Sequence, residues 1–277
     1  MAFIQINFMS QALMRSVPVN VILPVDKFGQ PGAAPRPDAP FKMLYLLHGV
    51  FGNYTDWVNG TCIQRWAEEK DLAVVMPSGD NMFYVDQPQA HNFYGEFIGR
   101  ELVEITRRMF PLSHRREDTY IAGLSMGGYG ALRNGLKYHE TFGCIAGLSS
   151  ANIIDSLDTF TDDAAFFLNS KKYAEHVFGA LDQMKGSDKD LEFLAEQAAS
   201  FDAGKAPVYL ACGTQDALLD ANRRLRDMFT ALGYSVTYEE GTGGHDWDFW
   251  NRYIKRVLEW LPLEEAVSGI NSGNIGV

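Results

Sequence analysis

The sequence predicts an α/β protein, with helices on both faces of a doubly wound and mostly parallel sheet. Short apolar, β-branched runs alternate with amphipathic stretches along the 277 residues. This order favours parallel strands joined by right-handed crossovers. One run, MLYLLH (43–48), is apolar almost throughout, which is typical of a strand buried on both faces. With 46% hydrophobic and 21% charged residues, the chain can form a sizeable core.

Two strands are expected ahead of the parallel part of the sheet, at 3–8 and 19–24, and we expect them to be antiparallel. The segment 26–41 holds four prolines and is therefore predicted to be a loop. The later apolar runs predict six further strands: MLYLLH (43–48), LAVVMP (72–77), TYIAGL (119–124), FGCIAGLS (142–149), APVYLAC (206–212) and SVTYEE (235–240).

Helices are expected between these strands. Near 94–109, for example, Phe97, Leu102 and Ile105 recur at helical spacing. The predicted helices lie near 55–68, near 94–109, over MGGYGALRNGLKY (126–138), around Leu225 and Met228, and after GTGGHDW (241–247).

A single domain is predicted over 1–262, with a helical insertion or cap at 151–205 and a C-terminal tail at 263–277. The insertion replaces one crossover with two or three short helices and carries eleven acidic residues against five lysines. It shields a site, extends the acyl pocket or decorates the surface, and the sequence does not decide between these alternatives. Phenylalanines are interspersed in it, at positions 160, 166, 167 and 193. The tail is rich in Gly, Ser and Asn and is expected to fray or to dock on a partner subunit.

Charge and hydropathy exclude several classes of partner. A net charge of −11 argues against nucleic acid, because phosphate binding requires clustered Lys and Arg. No stretch reaches the apolar length of a membrane span, and the N-terminus does not resemble a signal peptide. The cysteines Cys62, Cys144 and Cys212 lack metal or redox spacing, so we expect free thiols and a cytoplasmic protein.

The stretch IAGLSMGGYG (121–130) places Ser125 between Gly123 and Gly127. Glycine and serine are common in turns, so the pattern G-x-S-x-G alone also fits an ordinary turn. Here, however, the serine follows a predicted strand and opens a predicted helix. That context is the one in which a nucleophilic serine sits on a strained turn, with the next backbone amide, that of Met126, beside it. Ser125 is therefore the candidate nucleophile.

A serine needs a base, and the base needs a carboxylate. His245 follows the last predicted strand, and its preceding glycines allow the loop to turn back towards Ser125. Asp216 follows the strand APVYLAC, at the same edge of the sheet. Asp220 is the rival carboxylate, but we expect it to lie inside the next helix. The chain order Ser125, Asp216, His245 is the order expected for the triad of an α/β-hydrolase.

Acyl transfer also requires donors directed at the developing oxyanion. The amide of Met126 is one candidate. The loop after LYLLH, which reads HGVFGNYTDW, should supply the second, and we assign Val50, with Phe51 as the runner-up. His48 follows a core strand, so its ring is expected to hold this loop in place.

The sequence resembles the esterase D group of α/β-hydrolases, which includes tributyrin, feruloyl and acetylxylan esterases and S-formylglutathione hydrolases. The matching stretches are LLHGVFGNYTDW (46–57), VMPSGDNMFYVD (75–86), FYGEFIGRELVEITRRMFP (93–111), IAGLSMGGYGAL (121–132), LACGTQDALLDANRRL (210–225) and GTGGHDWDFWNRYI (241–254). The resemblance implies the α/β-hydrolase fold, with Ser125, Asp216 and His245 as the triad and the Val50 and Met126 amides as the oxyanion hole.

The same resemblance implies a serine carboxylesterase that hydrolyses short-chain acyl or hydroxycinnamoyl esters, with no metal or organic cofactor. The ending HDWDFW resembles the tributyrin and feruloyl esterase branch. Thioester hydrolysis of the S-formylglutathione type, or acyl transfer through the same acyl-enzyme, is the alternative. The partner is then a small-molecule ester, and the group's tendency to associate makes a homo-oligomer possible.

Overall fold

The computed structural model describes residues 1–28, 38–201, 205–264 and 270. Its main sheet is formed by the strands β1 Ala2–Ser10, β2 Arg15–Leu23, β3 Met43–Leu47, β4 Ala73–Pro77, β7 Thr119–Leu124, β8 Cys144–Leu148, β9 Val208–Gly213 and β10 Val236–Gly241, and the two-residue strands β5 Asp86–Gln87 and β6 Asn92–Phe93 form a separate hairpin. The order of the eight strands across the main sheet is β1-β2-β4-β3-β7-β8-β9-β10.

The predicted mixed character of the sheet is confirmed. Strand β1 pairs antiparallel with β2, and β2 pairs antiparallel with β4. From β4 onward every neighbouring pair is parallel. The sequence did not predict the β5-β6 hairpin. Much of the predicted proline loop 26–41, namely 29–37, falls outside the described residues.

Helices cover both faces of the sheet, and a separate apolar cluster fills each side. They are α1 Asp56–Gly60, α2 Ile63–Glu69, α3 Tyr94–Glu96, α4 Leu102–Met109, α5 Met126–Lys137, α6 Lys171–Phe178, α7 Leu191–Ala199, α8 Leu219–Ala231 and α9 Trp247–Trp260.

Two predicted helices differ in detail from the structure. The helix expected near 55–68 is divided into α1 and α2, because Thr61 between them is extended, with φ −143° and ψ 172°. The helix expected near 94–109 contains a π-helical turn, Phe97–Glu101, between α3 and α4. A side chain at Gly99 in this turn would overlap the ring of Tyr138, so close packing accompanies the wider turn.

Six parallel strands end at one edge of the sheet, and four of them, β3, β7, β8 and β9, lie side by side. Strand β7 lies between β3 and β8, and β9 lies beside β8. In an open α/β sheet, ligands bind at this edge. The residues that follow these strands therefore lie close together: His48 after β3, Ser125 after β7, Ser149 after β8 and Asp216 beyond β9.

The predicted insertion at 151–205 is described except at 202–204, and it contains α6, α7 and short 3-10 turns between β8 and β9. A buried charge cluster attaches it to α5. The fully buried Arg133 side chain pairs with Asp86 at 3.5 Å and with Asp188 of the insertion, and Lys137 binds both carboxylates. The insertion is thereby fixed to the helix that begins just after Ser125.

Burial opposes ionisation of Asp86 and Asp188, but the charges of Arg133 and Lys137 outweigh it and hold the pKa of each carboxyl below its ordinary value. Arg133→Met is therefore expected to lower the free energy of unfolding by about 1–3 kcal/mol, because Asp86 and Asp188 lose one of the two cations that they share and Lys137 alone remains between them. Denaturant unfolding at neutral pH measures this difference.

The pH dependence of stability provides a second measurement. A carboxyl with a depressed folded-state pKa stabilises the protein above its unfolded pKa and loses that contribution as pH falls. Wild-type stability should therefore decrease below about pH 4, and less steeply in Arg133→Met. The control is Arg223→Met, which removes an exposed arginine paired with Glu240 and should change little. Equal losses in the two variants would contradict the prediction.

Along the described ranges, no helix has the length and apolarity needed to cross a bilayer. The predicted tail, 263–277, is described only at 263, 264 and 270, so the expectation that it frays or docks falls outside the described residues.

Candidate active site

Ser125 occupies a strained turn between β7 and α5. Its backbone angles are φ 53° and ψ −117°, a combination that residues with a side chain rarely adopt. The surrounding structure fixes this conformation, since the Ser125 amide donates to the carbonyl of Leu148 at 2.9 Å and its carbonyl accepts from Tyr129 and Ala151. The hydroxyl is thus presented above the sheet edge.

The glycines around Ser125 are required by close backbone approach. A Cβ atom at Gly123 would overlap the carbonyl of Gly127. A Cβ atom at Gly127 would overlap the Leu47 carbonyl oxygen and come within 2.5 Å of that of His48. Both obstacles are backbone atoms, which cannot rotate away. The G-x-S-x-G pattern therefore allows α5 to start directly against the end of β3.

His245 reaches Ser125 across 120 residues of sequence. Its Nε2 lies 3.0 Å from Ser125 Oγ, and its Nδ1 lies 2.9 Å from Asp216 Oδ2. The three side chains predicted from the sequence are therefore connected by hydrogen bonds. Asp220 lies in α8 and is exposed beside Arg223, as expected, and Asp246 caps α9 by accepting from Phe249.

Asp216 is held as a carboxylate although its side chain is fully buried. Burial raises its pKa, but hydrogen bonds from His245, from the Leu218 amide and from Ser149 outweigh this effect and keep the pKa below its ordinary value. The Leu218 amide donates to Oδ1 at 2.8 Å, which leaves Oδ2 for the imidazole. An ionised carboxylate at Nδ1 orients the ring with Nε2 towards the serine.

The sequence reasoning missed Ser149 as part of this site. Ser149 follows β8, is completely buried and has a φ of 46°. Its hydroxyl accepts from the indole of Trp250 at 3.1 Å and binds Asp216. The Trp250 ring also packs edge-on against His245, with centroids 4.9 Å apart. The sequence signal that could have identified Ser149 was its position directly after a predicted parallel strand.

Two backbone amides are available to bind an oxyanion. Within the described part of the chain, the amides of Val50 and Met126 have no hydrogen-bond partner. The Phe51 amide, by contrast, donates to Asn81 Oδ1 at 2.8 Å, so this runner-up is not free to bind an oxyanion. Gly49 contacts the Ser125 turn, because a Cβ atom there would lie 3.5 Å from Ser125 Cβ.

His48 fixes the loop that carries Val50. Its Nδ1 donates to the Gly49 carbonyl at 2.6 Å, and its Nε2 accepts from the Gly79 amide at 2.8 Å. Burial lowers the pKa of His48, so the ring is neutral and can act as donor and acceptor at once. The geometry agrees with the positioning role expected from the sequence.

Known proteins are similar to this chain in both sequence and structure. The model of the Esterase family matches residues 10–261. An acetyl esterase of Caldicellulosiruptor saccharolyticus is 44% identical over 261 residues, which cover 94% of this chain and 98% of that protein.

Two solved structures from Staphylococcus aureus are also similar. The substrate-bound fluorophosphonate-binding serine hydrolase F has a TM-score of 0.81 at 31% identity, and the alignment covers 94% of this chain and 98% of that one. An S-formylglutathione hydrolase has a TM-score of 0.79 at 31% identity with the same coverage.

Proposed function

This chain belongs to the Esterase family and is a serine carboxylesterase of the α/β-hydrolase fold, and we propose that Ser125, His245 and Asp216 carry out its reaction. The hydrogen bonds that run from Ser125 Oγ through the His245 ring to Asp216 are the observation that supports these roles. The family predicted from the sequence is confirmed. The roles of individual residues are the proposal.

In the first half-reaction, Ser125 Oγ attacks the ester carbonyl carbon while His245 Nε2 accepts the hydroxyl proton. The Asp216 carboxylate stabilises the imidazolium that forms. The carbonyl oxygen becomes an oxyanion and accepts hydrogen bonds from the Val50 and Met126 amides. Because Met126 is the first residue of α5, the positive end of the helix dipole also faces this charge. The carbon–oxygen bond to the alcohol then breaks, and His245 returns the proton to the departing alkoxide.

In the second half-reaction, water attacks the acyl-Ser125 carbonyl carbon and His245 accepts a proton from the water. A second oxyanion forms between the same amides and collapses with release of the carboxylic acid, and His245 protonates Ser125 again. Every proton is transferred by His245.

The acetyl esterase relative suggests acetyl and other short acyl esters as substrates. Thioester hydrolysis remains the second candidate, because a solved S-formylglutathione hydrolase is 31% identical to this chain over 94% of its length. A panel of 4-nitrophenyl acetate, 4-nitrophenyl butyrate, methyl ferulate, acetylated xylan and S-formylglutathione separates these options by kcat/KM. If the thioester exceeded every oxygen ester, the proposed substrate class would be wrong.

Substitution of Val50 by proline tests the proposed oxyanion donor directly, since proline has no backbone N–H. Val50 is the second residue of a turn closed by a hydrogen bond of 3.3 Å from Gly52 to Gly49, and this position of a β-turn favours proline. Val50→Pro is therefore expected to lower kcat by about 10²–10³-fold, the usual effect of losing one oxyanion donor. Steady-state kinetics with 4-nitrophenyl acetate measures it.

Val50→Ala is the matched control, because it shortens the same side chain and keeps the amide. Its kcat should stay within a few fold of wild type. If both variants lost activity equally, side-chain packing rather than the amide would explain the effect. Thermal unfolding of both variants checks that the turn still folds.

A cytoplasmic location remains a prediction, and it agrees with the state of the thiols. All three cysteines are unpaired, and Cys144 and Cys212 are buried. Burial raises the pKa of Cys144 to about 11 and of Cys212 to about 12, so neither is a reactive thiolate. The homo-oligomer also stays a prediction, which analytical ultracentrifugation tests.

A further inference from the structure

Three phenylalanines form an exposed aromatic cluster beside the proposed oxyanion loop. Phe51 lies one residue after Val50, whereas Phe166 and Phe167 belong to the insertion. Their exposed fractions are 66%, 50% and 37%. The ring centroids lie 6.2 Å apart for Phe51 and Phe166, 5.6 Å for Phe51 and Phe167, and 5.5 Å for Phe166 and Phe167. We call these three residues the aromatic platform.

Folding alone does not account for Phe51. It is the third residue of the turn Gly49–Gly52 and has a φ of 66°, where glycine or asparagine is ordinarily preferred. Its ring remains two-thirds exposed, so burial gives little compensation for the strain. Strained conformations at non-glycine residues concentrate at functional sites. A ligand that contacts the exposed part of the Phe51 ring would therefore best explain this conformation.

Hydrogen bonds hold the platform in place from both sides. The side chain of Asn81 accepts a hydrogen bond from the Phe51 amide, and the backbone carbonyl oxygen of Asn81 accepts one from the hydroxyl of Tyr173 in α6. The Tyr173 ring in turn packs against Phe167, with centroids 4.9 Å apart. The turn that carries Phe166 and Phe167 is closed by backbone hydrogen bonds, from Asn169 to Phe166 at 2.9 Å among others. The proposed oxyanion loop and the insertion are thus held together by hydrogen bonds and ring contacts, and both contribute to the aromatic platform.

The position and chemistry of the platform select its ligand. The ester carbonyl must reach the Val50 amide, so a substituent on that carbonyl can extend over the next residue, which is Phe51. Three phenyl rings offer apolar faces and edges but no hydrogen-bond donor. An aryl group can join such a cluster in the same edge-to-face geometry, whereas the hydroxyls of a sugar would find no partner on it.

We propose that the aromatic platform is a subsite for an aryl group of the ester substrate. This inference rests on the proposed function, and it makes Phe166 a specificity-determining residue contributed by the insertion. The ring can belong to the alcohol part or to the acyl part of the ester. The chemistry of recognition is the same in both cases, and paired substrates distinguish them.

The experiment compares kcat/KM for two matched pairs of esters. Benzyl acetate and ethyl acetate differ by a ring in the alcohol part, and methyl 3-phenylpropanoate and methyl propanoate differ by a ring in the acyl part. In Phe166→Ala, the aryl-to-alkyl ratio of one pair should fall roughly threefold to tenfold, the effect of losing an aromatic contact. The pair that responds identifies the side of the ester. Phe166→Tyr keeps the ring and should restore the ratio.

The control is Phe3→Ala, which removes an exposed phenylalanine of β1 that is 46% accessible and far from the platform in sequence. Its ratios should match wild type. Unchanged ratios in Phe166→Ala, or equal changes in Phe3→Ala, would overturn the proposal. A change of oligomeric state in Phe166→Ala with unchanged ratios would overturn it as well and would identify a subunit contact. If wild type hydrolysed neither these esters nor 4-nitrophenyl acetate, the proposed function itself would fail.

Discussion

Ser125→Ala is expected to reduce kcat/KM for 4-nitrophenyl acetate by at least about 10⁴-fold, because Ser125 is the proposed nucleophile and an alanine side chain cannot form the acyl-enzyme. Alanine keeps the Cβ atom, so the strained backbone at φ 53° changes little. The Ser125 amide and carbonyl also keep their hydrogen bonds to Leu148, Tyr129 and Ala151. Activity should therefore be lost without loss of folding, which circular dichroism and thermal unfolding would verify.

Ser150→Ala is a matched control at the end of the neighbouring strand. Ser150 is fully buried, and its hydroxyl has no hydrogen-bond partner in the described structure. Its backbone, which pairs with Asn222, is unaffected by the substitution. This variant should retain hydrolysis and should react with a fluorophosphonate probe, whereas Ser125→Ala should not be labelled. Retention of most of the wild-type turnover in Ser125→Ala would show that a different nucleophile is used.

Local sequence signals were sufficient for the framework of the site. The bounds of β7 agree with the predicted strand 119–124, because the run TYIAGL is apolar and ends at the glycine pattern. The positions of Asp216 and His245 followed from a rule of topology, since the residues after parallel strands meet at one edge. The choice of Asp216 over Asp220 depended only on where α8 begins, and it begins at Leu219.

What the sequence could not provide were contacts between distant segments. Nothing in the run GLSS identifies Ser149 as a partner of Asp216, 67 positions later, because the contact depends on the pairing of β8 with β9. Likewise, the sequence did not predict that phenylalanines of the insertion contact Phe51. Their approach to Phe51 depends on hydrogen bonds such as that from Tyr173 to Asn81. The sequence alone could therefore not decide whether the insertion shields a site, extends the acyl pocket or decorates the surface.

Asp216→Asn is expected to lower kcat on the order of 10⁴-fold while the fold remains intact. The carboxylate accepts a hydrogen bond from His245 Nδ1–H, which leaves Nε2 free to accept the Ser125 proton. An asparagine amide can instead donate to Nδ1, which places the ring proton on Nε2 and directs it towards the serine. The base is then in the wrong tautomer, and no negative charge stabilises the imidazolium.

The comparison variant is Asp220→Asn, which alters an exposed carboxylate of α8 paired with Arg223. It should leave kcat near wild type, since Asp220 contacts neither His245 nor Ser125.

Because the pKa of Asp216 lies below its ordinary value, this carboxyl stays ionised through mildly acidic pH and does not limit the rate there. The acid limb of the pH–rate profile must then come from another group. A wild-type profile that followed a carboxyl near pH 4, or an Asp216→Asn variant with near-normal kcat, would contradict the assignment of Asp216.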